Sequence, residues 1–230
     1  MKQTILVTGA AGNLGTTVVR KLDEAGYHLL ATLGPSGGAE ALAGLDIETE
    51  VLDLTDEAAV LAYVEKITAG GRRDLVGAVL LVGGFAMGEL GQTSVADVRK
   101  MCALNFETAY NVVKPLFEFF KARGGGQFVL IGARPALQPS AGQHMVAYAL
   151  SKSLVFELAE LVNAAGKNAN VTATVLVPST IDTPANRQAM PGADVSKWVS
   201  PEAIADSIIY LFSPAGKQLR EGVLKLYNNS

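Results

Sequence analysis

Cysteine is almost missing from this 230-residue chain: Cys102 stands alone, so an intrachain disulfide is excluded. The two histidines, His28 and His144, lie far apart and give no zinc-ligand spacing, so no metal is expected. Charged residues make up only 18% of the chain and sum to a net charge near −3, without a basic run. That leaves no electrostatic footprint for nucleic acid or an anionic membrane, and neither is expected as a partner. No segment reaches the roughly 18 apolar residues of a membrane span. The first residues hold one lysine and an apolar run shorter than that of a secretory signal, so the expected location is cytoplasmic. What the chain does have is 49% apolar residues, enough for one substantial core. No compositional break or repeat divides it, and one domain over 1–230 is expected.

Short β-branched runs alternate with helical patterns along the whole length. Thr4 to Val7, His28 to Leu33, Ile47 to Leu52, Asp74 to Val82, Gln127 to Ile131, Val171 to Val177 and Val223 to Tyr227 read as strands. Helices are predicted from about Thr16 to Ala25, from Thr55-Asp56-Glu57 onward, from Tyr148 to about Ala165, and from Ser200-Pro201-Glu202. A further long helix, continuous or interrupted, runs from the capping-box-like Ser94-Val95-Ala96-Asp97 to about Lys121 and carries Asn105 in its middle. The stretch from Gly132 to His144 reads as a loop. Such alternation predicts an α/β fold: a Rossmann-like, doubly wound parallel sheet of about seven strands with helices on both faces. Ligands sit at the carboxyl ends of the strands in such sheets, where Gly9, Asp53, Gly83, Gly132 and Pro178 all fall.

Gly9-Ala10-Ala11-Gly12-Asn13-Leu14-Gly15 lies between the first strand and the first helix, the context that a dinucleotide fingerprint requires. Glycines let the backbone approach a pyrophosphate, and the helix start offers unpaired N–H groups. At the end of the second strand an acidic residue would grip the 2′-hydroxyl of NAD, or an arginine the 2′-phosphate of NADP. Gly34 is neither, and the choice between NAD and NADP stays open. Asp53 either reaches an adenine amino group or caps its own turn. Tyr148 and Lys152 stand four apart on one helical face, and a neighbouring ammonium is expected to lower the phenol from about 10 toward the working pH.

In this order, the motifs resemble those of the short-chain dehydrogenase/reductase family over nearly the whole chain. The resemblance implies cofactor contacts at Gly9, Gly12, Asn13, Leu14, Gly15, Asp53, Leu54, Gly83 and Gly84, with Pro178, Thr180, Ile181 and Thr183 over the nicotinamide. It implies catalysis by Tyr148 and Lys152, Lys152 also holding the nicotinamide ribose, with Asn105 extending a proton path. A homodimer or homotetramer through the Asn105 and Tyr148 helices is implied as well. Three features are similar to the quinonoid dihydropteridine reductase branch: Gly83-Gly84-Phe85, Gly132-Ala133-Arg134 where a catalytic serine is usual, and the run from Asp182 to Trp198. That branch carries an aspartate where this chain has Gly34.

Ala133 bears most directly on substrate. A ketone reductase needs a donor for the developing alkoxide, and losing one costs on the order of 10² to 10³ in rate. Either Ser140, Gln143 or His144 substitutes, or the acceptor is already electron-poor, as a quinonoid dihydropterin is. Phe85, Ala133, His144 and Arg187 are therefore the candidate substrate residues, beneath a lid segment at 179–199 under which Trp198 packs. The competing expectations are a general carbonyl or 3-oxoacyl reductase and a non-catalytic nucleotide-sensing protein, since a fold does not fix a function.

Overall fold

The structure, a computed structural model, describes residues 2–71 and 74–229. Seven strands form one sheet: β1 (Gln3–Thr8), β2 (His28–Leu33), β3 (Glu48–Val51), β4 (Asp74–Leu80), β5 (Gly126–Ile131), β6 (Val171–Pro178) and β7 (Val223–Leu226). All neighbours pair in parallel, in the order β3-β2-β1-β4-β5-β6-β7. The order reverses direction between β1 and β4, which opens a crevice at the carboxyl edge there.

Both faces of the sheet are apolar because helices cover both. On one side α1 (Gly15–Glu24) and α9 (Pro201–Phe212) bury Val18, Val19, Leu22, Ile204, Ile208 and Phe212 against the sheet. On the other, α2 (Glu57–Thr68), α4 (Thr108–Arg123) and α7 (Val146–Gly166) bury Val60, Val64, Val112, Leu116, Val155 and Leu158. The caps read from sequence form: Asp56 accepts from Ala59 N and Ser200 Oγ from Ala203 N. Ser94 and Asp97 close a reciprocal capping box at the head of α3 (Val95–Cys102).

The long central helix takes the interrupted form, with a π-turn at Ala103–Glu107 between α3 and α4 that contains Asn105. Two departures from the sequence reading also matter for the site. The fourth strand stops at Leu80 rather than Val82, because Leu81 N donates to the Thr8 hydroxyl (3.2 Å) and leaves the ladder. The predicted loop from Gly132 to His144 holds two short helices, α5 (Arg134–Leu137) and α6 (Pro139–Gly142), each with a proline in its first turn. No helix among the described residues is long and apolar enough to cross a membrane.

Candidate active site

The glycine turn is built for close approach. Gly9 sits at φ +67, and Gly12 N donates to Gly9 O (3.0 Å). A Cβ on Gly15 would collide with that same carbonyl oxygen and with the Ala10 backbone, so only glycine lets α1 start so near β1. Gly12 and Asn13 are exposed, and Leu14, at the N-cap position, makes no side-chain cap, which leaves the helix N-terminus to an external anion. These residues fit the pyrophosphate of a dinucleotide. At the end of β2, Gly34 turns tightly, Gly37 N donating to its carbonyl (2.8 Å), and a Cβ on Gly34 would meet nothing within 4 Å.

Asp53 caps its own turn. Its Oδ1 accepts from Thr55 N (2.9 Å) and Thr55 Oγ1 (2.7 Å), and these bonds hold its carboxyl below the usual range. Leu54 is buried, with its carbonyl accepting from Asn111 Nδ2 (2.9 Å).

α7 brings Tyr148 and Lys152 to the carboxyl edge beside the chain that leaves β4. Phe85 lays its ring edge-on to Tyr148 with centroids 5.1 Å apart, while itself 58% exposed, as a lip over the phenol. Lys152 is buried and donates from Nζ to Ile131 O at the end of β5 (2.8 Å). Asn105 is 1% exposed and makes a two-way clasp with Gly84: Oδ1 accepts from Gly84 N (2.8 Å) and Nδ2 donates to Gly84 O (3.1 Å). Nδ2 also donates to Ser151 Oγ (3.0 Å), whose hydroxyl donates to Tyr148 O (2.8 Å). A Cβ on Gly83 would meet Asn105 Oδ1 at 2.6 Å and Lys152 Nζ at 3.3 Å, so the absent side chain leaves room between amide and ammonium. The sequence reading missed Ser151, fully buried inside Tyr148-Ala149-Leu150-Ser151-Lys152. Its only local signal is a hydroxyl on an apolar face.

The expected lowering of the tyrosine is reversed. Burial pushes the Tyr148 phenol up to about 12 and brings Lys152 down to about 8, because desolvation penalises both charged forms. The phenol is therefore neutral at physiological pH, the form that carries a proton.

Two other candidates are held by carboxylates. His144 is exposed and its Nδ1 pairs with Glu89 (2.9 Å), next to a backbone bridge in which Gly88 N donates to His144 O (2.8 Å) and Val146 N to Gly88 O (2.9 Å). It therefore fastens the chain after β4 to the head of α7. Arg187 grips Asp182 through Nε (2.6 Å) and NH2 (2.8 Å) rather than reaching toward a substrate or phosphate. Ala133 is buried, 3% exposed, just before α5, whereas Ser140 and Gln143 are exposed. Pro178 ends β6, and the segment after it is laced back to the sheet. Val199 N donates to Thr180 O (2.9 Å), Ile181 bridges to Val199, and the Thr183 hydroxyl caps α8 (Pro184–Ala189). Trp198 is buried at the end of that segment.

The profile of the short chain dehydrogenase family matches residues 3–194. An acetoacetyl-CoA reductase of Acinetobacter sp. (strain RA3849) is 26% identical over 94% of this chain and 92% of its own length. A dihydropteridine reductase of Dictyostelium discoideum is 25% identical over 90% and 87%. A short-chain type dehydrogenase/reductase from Mycobacterium ulcerans superposes with a TM-score of 0.89 at 25% identity, covering 99% of this chain and 89% of that one. With a glycine cradle at the head of α1 and a phenol and an ammonium one helical turn apart at the same edge, the chain belongs to the short-chain dehydrogenase/reductase family of NAD(P)-dependent oxidoreductases.

Proposed function

We propose that this protein is a reductase in which hydride passes from a reduced nicotinamide to an electron-poor acceptor of the quinonoid dihydropterin kind, with Tyr148 giving the proton. The observation that carries the reading is the Tyr148 phenol under the exposed ring of Phe85, one helical turn from the buried Lys152 ammonium that Ile131 O anchors at the carboxyl edge. A nicotinamide cofactor bound along the crevice would supply the hydride. Gly9, Gly12, Asn13, Leu14 and Gly15 would hold its pyrophosphate, Asp53 and Leu54 would border the adenine, and Gly83 and Gly84 would let the chain approach. Pro178 at the end of β6, and Thr180, Ile181 and Thr183 within a lid at 179–199, would cover the nicotinamide end.

In this reading Lys152 Nζ, anchored on Ile131 O, would give a second N–H to the nicotinamide ribose. Asn105 is a positioning residue: through Ser151 it fixes the first turn of α7 and hence the phenol. Proton donation converts the neutral phenol to phenolate, and the ammonium of Lys152 stabilises that charge in a poorly solvated site. Ala133 offers a methyl where an alkoxide would need a donor, which favours an acceptor whose reduction is driven by restored conjugation. The dihydropteridine reductase relative supports this class. The acetoacetyl-CoA reductase relative favours the second reading, a general carbonyl or 3-oxoacyl reductase, and Ala133 opposes it.

Leu150 and Leu161 on α7 and Tyr110 on α4 are large, apolar and exposed, the kind of face that a second copy of this chain would cover. Oxidation of NADH and of NADPH, followed by absorbance against quinonoid dihydropterin, simple ketones and quinones, tests the substrate class. Turnover of the pterin or a quinone with little of any ketone is expected. Rapid ketone reduction with none of the pterin would replace the first reading by the second.

A further inference from the structure

The chain that leaves β4 carries a line of apolar side chains outward from the phenol. Exposure alternates along it: Gly83, Phe85 and Met87 face solvent, while Gly84, Ala86 and Gly88 are half-buried, the pattern of an extended segment with one side turned to the protein. Gly83 opens beside the ammonium, where an added Cβ would meet Lys152 Nζ at 3.3 Å. Two residues on, the Phe85 ring lies edge-on to Tyr148. Met87, 67% exposed, follows about 7 Å along the extended chain, and Leu90 beyond it is 80% exposed.

Both ends of this segment are fastened. Asn105 clasps the backbone of Gly84 at the inner end, and at the outer end Gly88 N donates to His144 O while its carbonyl accepts from Val146 N. Large apolar side chains held in water by an anchored backbone mark a binding surface. Glu89 is the one ionisable residue from Gly83 to Leu90, and it is paired with His144. The line therefore offers no free charge to a phosphate, a carboxylate or an amine.

We propose that the acceptor carries an uncharged apolar tail, alkyl or prenyl, which runs outward from its reducible ring over Phe85 and Met87 toward Leu90. This rests on the reading that the acceptor lies at Tyr148. Because the line starts against that phenol, the molecule that covers it is the rest of the acceptor. The Phe85 ring gives the tail a flat, rigid start, and the unbranched thioether chain of Met87 adapts to a flexible chain beyond it.

The test separates binding from turnover. Resorcinols bearing a methyl, propyl or pentyl chain are titrated into the protein with saturating oxidised NAD or NADP, and affinity is read from the backbone amides of Ala86 and Met87 by NMR. Affinity is expected to rise about twofold per methylene, half the effect of complete burial on a surface that covers the tail from one side. Met87→Ser should roughly halve that dependence on a logarithmic scale and Met87→Leu retain it, whereas Val51→Ser, at an exposed position on the far edge strand β3, leaves it as in wild type. In the kinetic arm, kcat/KM for benzoquinones with the same three chains should rise in the same order. Equal affinity across the series, a dependence unchanged in Met87→Ser, or the same loss in Val51→Ser would overturn the proposal. Affinity that rises with chain length while no quinone is turned over would support the tail surface and count against the reductase reading alone.

Discussion

Asn105 Nδ2 donates to Ser151 Oγ across 3.0 Å, tying the π-turn of the central helix to the helix that carries Tyr148. The same amide clasps both backbone groups of Gly84. One side chain therefore sets the spacing between the strand end and the phenol. Asn105→Ala leaves Gly84 N–H without that acceptor, at a cost of about 1–3 kcal/mol. Thermal unfolding should show it, and kcat should fall while cofactor affinity holds. An unchanged melting temperature would mean that the clasp contributes nothing.

Tyr148→Phe keeps the ring contact with Phe85 and removes only the hydroxyl. Turnover should drop by about 10² to 10⁴, the range of general acid catalysis, with cofactor affinity nearly level. Single-turnover absorbance and fluorescence titration separate the two. Equal turnover in the variant would remove Tyr148 from the chemistry and favour a nucleotide-sensing role.

Lys152 makes the stability of the ligand-free protein depend on alkaline pH. Its native value is about 8 against an ordinary 10.5. Between these values the unfolded chain holds a proton that the native one has lost, so stability rises with pH across that window. At ~1.4 kcal/mol per unit, the contribution is about 3 kcal/mol. Denaturant unfolding at pH 7 and at pH 10 should therefore show wild type gaining on Lys152→Met by roughly that amount. A difference that stays flat would mean that the ammonium is well solvated.

At Gly34 a side chain has open space. Gly34→Asp should leave the melting temperature within a degree or two and place a carboxylate where a 2′-phosphate would lie. The ratio of kcat/KM for NADH to that for NADPH should rise by roughly tenfold or more. If the ratio does not move, the adenosine ribose does not pass Gly34.

The sequence by itself determined the layered architecture, because period-two and period-3.6 apolar patterns, caps and glycine turns act between residues close along the chain. It also placed Gly9 to Gly15, Tyr148 and Lys152 at strand or helix ends that parallel winding gathers on one edge. Where a side chain points was decided only by tertiary structure. His144 found Glu89 and Arg187 found Asp182; the histidine's partner lies far off in the chain, and the arginine's choice depended on how the segment after Pro178 folds back on the sheet. Ser151 became a link only because the π-turn brought Asn105 against it. Spacing predicted a lowered phenol from the charge next to it. Folding raised it instead, because burial removes water from around the Tyr148 phenol and so penalises its charged form.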